Sequence, residues 1–81
     1  MDRYQPISRE VYEYIEELHL LKQKCNLTFI DDYQKKTLVD VVIIDLFTDE
    51  DNEENLILEG GIRIRLDQIL AINGKPVQFI V

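Results

Sequence analysis

Ile62-Arg63-Ile64-Arg65-Leu66-Asp67-Gln68-Ile69 alternates apolar and charged side chains through its first five positions. A period of two places Ile62, Ile64 and Leu66 on one face and the two arginines on the other, which predicts a strand with one buried and one wet side. Leu66-Asp67-Gln68 then breaks the alternation and reads as a short helical turn before a second strand over Ile69–Ile72. On either side lie turn signals. Gly60-Gly61 precedes the run as a hairpin, and Asn73-Gly74 follows it as a tight turn into a last strand over Val77–Val81.

Toward the N-terminus, Leu27–Ile30, Leu38–Phe47 and Asn55–Leu58 are rich in β-branched and aromatic residues, and Asp31-Asp32 begins the loop between the first two. Leu38–Phe47 is apolar on both faces: Leu38, Val42, Ile44 and Leu46 oppose Val39, Val41, Ile43 and Phe47. A single long, bent strand satisfies both, one side lining an interior and the other lying under a helix. That helix is predicted over about residues 8–25. Val11, Tyr14, Ile15, Leu18, Leu21 and Cys25 recur at steps of three and four, Ser8 stands ready to cap the start after Tyr4-Gln5-Pro6-Ile7, and Asn26 ends it. The expected architecture is α+β, mainly β, in one domain spanning 1–81: an N-terminal helix followed by a small, strongly bent antiparallel β-barrel over about 26–81. Eighty-one residues hold one core and no more.

The net charge of −7 is concentrated in the middle, where residues 26–54 carry nine acids against two bases. An acidic chain is repelled by nucleic acid and suited to a basic protein partner. With one cysteine and no apolar run of about 18 residues, neither a disulfide framework nor a membrane span is expected, and with no basic leader a cytoplasmic protein is the expectation.

Enzyme chemistry lacks its parts. Ser8, His19 and Cys25 are each the only residue of their kind. Ser8 and His19 stand about 16 Å apart along the predicted helix, too far for a nucleophile and its base. Zinc needs three or four His or Cys ligands. Asp49, Glu50, Asp51, Glu53 and Glu54 lack the glycine and ligand order of a calcium loop and read as a solvated charged loop, so no metal and no cofactor are expected. Cys25 reads as a small buried hydrophobe, His19 as an ordinary residue flanking the stripe, Tyr4 as an anchor against the barrel and Tyr12 as exposed.

Two charged surfaces remain. Glu10, Glu13 and Glu17 form a strip on the helix with Glu16 beside it, and Tyr12 stands among these acids. The strip also complements the helix dipole, by about 0.3–1 kcal/mol per residue, as any solvated acidic first turn does. The rival surface is cationic, Arg63 and Arg65 with Lys75, and is the alternative for binding single-stranded RNA.

Tyr4-Gln5-Pro6-Ile7 leading into a helix with Tyr12 and Glu16, then Val42-Ile43-Ile44-Asp45-Leu46, then Ile64-Arg65-Leu66-Asp67-Gln68-Ile69, resembles in the same order the Rho-binding antiterminator (Rof) family, the modulators of Rho-dependent termination. The resemblance implies an Sm-like barrel behind an N-terminal helix. It also implies a protein that binds the transcription termination factor Rho and covers the primary site where Rho captures RNA; a monomer is expected. Glu10, Tyr12, Glu13 and Glu16 match acidic or aromatic positions of the family's Rho-facing helix, and Glu17 joins them by geometry. Arg9 stands where members commonly carry cysteine, and Val11 where some carry an acid. Arg65 and Asp67 match the strand motif, where an ion pair or turn cap is expected.

Overall fold

A computed structural model describes residues 4–77. The chain forms helix α1 (Arg9–Leu20) and strands β1 (Cys25–Asp31), β2 (Gln34–Val41), β3 (Ile43–Thr48), β4 (Glu54–Leu58), β5 (Arg63–Arg65), β6 (Ile69–Ile72) and β7 (Lys75–Pro76), with a 3-10 turn at Leu66–Gln68. The class is α+β, mainly β. The described strands pair in two antiparallel sheets, β2-β1-β6-β7 and β3-β4-β5, with no closed barrel among the described residues.

Two corners join the sheets. At the first, the single strand expected over Leu38–Phe47 is divided at Val42: β2 pairs with β1, and β3 turns away to pair with β4. Just before the break Asp40 adopts φ +54°, and its N–H donates to Asn26 Oδ1 at 3.1 Å, so the ladder slips there. A second slip between Ile43 and Asp45 re-sorts the faces, burying Ile43 and leaving Ile44 exposed. The other corner is the 3-10 turn between β5 and β6, which ends one ladder and starts another. Of the strand expected at Val77–Val81, all but Val77 lies outside the described residues.

Ser8 caps α1 as expected, its Oγ accepting the Val11 N–H at 3.3 Å. The helix stops at Leu20 instead of continuing to about residue 25. Lys22 takes φ +51°, its N–H donates to His19 O, and Gln23 N–H donates to Leu18 O, a terminating pair that glycine usually supplies. Leu21, counted on the apolar stripe, is therefore 64% exposed, while Ile15 and Leu18 are buried. Asn26, expected to end the helix, lies instead in β1. Its carbonyl accepts the Asn73 N–H and its N–H donates to Asn73 Oδ1, at 2.8 Å each, while its own side chain steadies the slip at Asp40.

One apolar core lies between the sheets and under the helix, with Ile15, Leu18, Leu27, Ile43, Leu56, Leu66 and Ile69 among its most buried members. Cys25 belongs to it, and burial raises its thiol pKa, as suits a packing residue. The turns follow their chemistry. Gly60 and Gly61 have φ +101° and +91°, and Asn73 and Gly74 have +51° and +82°, conformations that glycine and asparagine take most readily. Because Leu56 is fully buried, Leu56→Ala is expected to lower unfolding free energy by about 2–5 kcal/mol in urea titrations. Exposed Val39→Ala is expected to change it by less than about 0.5 kcal/mol.

Candidate functional site: the acidic helix and its arm

The start of α1 is held from outside the helix. Gln5 N–H donates to Asp67 Oδ2 at 3.0 Å, and Tyr4 Oη donates to Glu54 Oε1 at 2.6 Å while the Tyr4 ring lies 5.8 Å from the Arg65 guanidinium carbon. Tyr4 is thus anchored as expected, and burial, then the Glu54 carboxylate, push its pKa up. His19 is more than a flank residue. Half-buried, its Nδ1 lies 3.1 Å from the Ile43 carbonyl oxygen, so an Nδ1–H tautomer pins the last turn of α1 to β3.

Between the arm and the helix runs an open groove of about 500 Å³, lined by Pro6, Ile7, Arg9, Tyr12, Glu13, Glu16 and Glu54. Three of the five expected partner-binding residues, Tyr12, Glu13 and Glu16, meet there. Glu10 instead lines a second groove, with Tyr14, Lys75 and Pro76, and Glu17 is exposed on the helix, in neither groove. Tyr12 departs from its expected exposure: half-buried, it packs against the core, and its pKa is raised by burial and then by Glu54 and Glu16. Arg9 and Glu13 pair at 3.3 Å along the rim, with both side chains largely solvated, so this pair adds little stability.

Glu54 is the residue that sequence reasoning missed. It read as one more acid in a solvated loop, yet it opens β4 and faces the groove. No local pattern marks it, because the contact with Tyr4 spans fifty positions.

Of the cations of the rival surface, the two arginines of β5 lie beside acids and the lysine lies on the other sheet. Arg65, with a side chain only 16% exposed, grips Asp67 through both Nε and Nη2, the second at 2.9 Å, and reaches Glu53 Oε1 at 3.4 Å. This is the expected ion pair and turn cap, completed by Gln68 Oε1 accepting the Arg65 N–H at 2.9 Å. Arg63 donates to Asp49 Oδ2 and Asn55 Oδ1, at 3.2 Å each, and lies over the Phe47 ring. Lys75 is on the other sheet, 5.8 Å from the Tyr14 ring centre.

In the acidic loop, Asp49 Oδ1 accepts the N–H groups of Asp51 and Glu53 at 2.9 and 3.0 Å, and Oδ2 accepts from Asn55 and Arg63. The Glu53 N–H foremost, with that of Asp51, the Asn55 amide and Arg63, outweighs desolvation and holds the carboxyl below the usual range. Asp49, Asp51 and Glu53 each bring an oxygen within 4.8 Å of the others, the closest approach to a cation-binding set among the described residues. Asp49 spends both its oxygens on the loop and on Arg63, which makes it a loop organiser first.

Compared with protein-family models and with curated proteins, the chain matches none.

Two consequences can be measured. Replacing Arg65 with alanine leaves Asp67 half-buried without its cation, and a loss of about 2–3 kcal/mol in chemical unfolding is expected, only partly restored by lysine, which cannot form the two-pronged contact. For Asp49 the folded-state pKa lies below the unfolded one. Its contribution is therefore present above about pH 4 and lost as pH falls through the folded value. The difference in melting temperature between wild type and Asp49→Ala should be steady near neutral pH and shrink below about pH 4.

Proposed function

We propose that this protein is a non-enzymatic antiterminator that binds transcription termination factor Rho and covers its primary RNA-binding site. The observation that carries the reading is the gathering of Glu13, Glu16 and Glu54 around the Tyr12 ring in one groove at the start of α1. A surface that attracts RNA phosphates also attracts carboxylates, and an aromatic ring among them adds contact area at small entropic cost. Glu10 and Glu17 extend the negative field along the helix. The order of the arm, helix and arginine-leucine-aspartate segments, which resembles the Rho-binding antiterminator family, supports the same partner.

The finer fold reading is an Sm-like barrel. It is supported by the bend at Val42, which carries one run of chain from the first sheet into the second, and by the 3-10 turn at the opposite corner. A monomer acting in the cytoplasm fits this role, and no helix among the described residues is long and apolar enough to cross a membrane. The absence of catalysis is supported by the employment of the reactive side chains: Ser8 caps α1, His19 docks it, and Cys25 is buried. Direct RNA binding through Arg63, Arg65 and Lys75 is the weaker reading, because both arginines already face carboxylates and the lysine lies on the other sheet.

Purified Rho should retain the wild-type protein at low salt and release it as ionic strength rises, since exposed charge pairs are screened over about 8 Å at physiological salt. Changing Glu10, Glu13 and Glu16 together to lysine should weaken binding by on the order of 100-fold and restore Rho-dependent termination in vitro. Undetectable wild-type binding at low salt, with termination unaffected, would overturn the proposal.

A further inference from the structure

Helix α1 begins at Arg9, directly after the Ser8 cap. A cation in that position meets the positive end of the helix dipole, where acids are favoured. Its partner Glu13 lies four residues further on, which is the less favourable order for an ion pair along a helix. Both side chains are largely solvated, at 88% and 61% exposure, so the contact at 3.3 Å contributes little to the fold. Helix stability does not account for an arginine in this place.

The groove supplies a role. Among the described residues that line it, Arg9 is the one cation, set against the carboxylates of Glu13, Glu16 and Glu54. These three acids are engaged differently. Glu54 accepts the Tyr4 hydroxyl, a neutral donor that leaves its charge in place, and Glu16 makes no ion pair among the described residues. Glu13 alone of the three holds a positive charge, and that charge comes from the chain itself. An arginine so exposed is free to swing aside when another cation arrives.

We infer that Arg9 is an internal counter-ion of the groove, holding a place that a basic side chain of the partner takes over on binding. The inference rests on the proposed binding to Rho and adds a control on its strength. An incoming cation must displace Arg9 from Glu13 or share the groove with a like charge, and either course lowers affinity. A partner bringing a single charge merely exchanges for Arg9. One bringing several closely spaced cations also engages Glu16 and Glu54, so the arginine sharpens discrimination between the two.

The test is titration of purified Rho, and separately of a short oligoarginine peptide, with wild type, Arg9→Gln, Arg9→Lys and Lys24→Gln, alongside thermal melts. Arg9→Gln should bind both about 3- to 10-fold more tightly at low salt, as removal of one neighbouring like charge in a solvated site predicts, and the gain should shrink as salt rises. Its melting temperature should stay within about 3 °C of wild type, because the lost pair is exposed. Arg9→Lys keeps the charge and should bind like wild type. Lys24 is exposed beyond the far end of α1, so Lys24→Gln removes the same charge away from the groove and should gain less than about twofold. Unchanged or weaker binding of Rho by Arg9→Gln overturns the inference, and so does an equal gain in Lys24→Gln, which would assign the effect to net charge. If Rho binds the wild type and Arg9→Gln gains nothing, only this inference fails. If wild type binds no Rho, the functional reading fails, and the peptide titration decides this inference, which falls if Arg9→Gln gains nothing there.

Discussion

Arg65 and Asp67 form the joint on which the described structure turns. Two residues apart at a corner between sheets, they meet through two parallel contacts, one from Nε and one from Nη2, in a site where the arginine is mostly shielded from water. Such a pair is directional, and guanidinium and carboxylate match each other's planar geometry. The Asp67 bond raises the pKa of the already permanent arginine charge further, with Glu53 contributing. By holding Asp67 still, the arginine presents Oδ2 to Gln5, and by lying beside Tyr4 it helps seat the arm that delivers Ser8 to the head of the helix.

This joint links stability to the acidic surface. The arm is the wall of the groove, and Glu54 is the floor group that binds the arm's tyrosine. The basic side chains of β5 organise acids, Arg63 pairing with Asp49 and Arg65 with Asp67, while the helix glutamates remain in solvent. Carboxylates thereby outnumber cations around the groove, where Glu13, Glu16 and Glu54 stand with Arg9.

Features decided by neighbours in sequence were legible. Serine at the helix start, the glycine and asparagine turns, the helical turn at Leu66–Gln68 and the arginine-aspartate pair each depend on residues within about four positions. The apolar stripe correctly placed Ile15 and Leu18 in the core but extended too far, because lysine rather than glycine ends the helix and composition does not advertise it. The run Leu38–Phe47 was equally deceptive. Apolar on both faces, it reads as one continuous strand, whereas the slip beside Asn26 and the break at Val42 depend on strands brought up from elsewhere.

The sequence by itself determined the class, the turns, the capped helix and the acidic character of its exposed side, since these follow from periodicity, backbone preference and charge. Only the tertiary structure decided that Tyr12 is half-buried, that Glu54 joins Glu13 and Glu16 while Glu10 faces a different groove, and that Arg63 is occupied by the distant Asp49. The reason is physical: burial and charge pairing act through space, across separations such as the fifty residues between Tyr4 and Glu54, and no local pattern encodes which distant side chain will arrive.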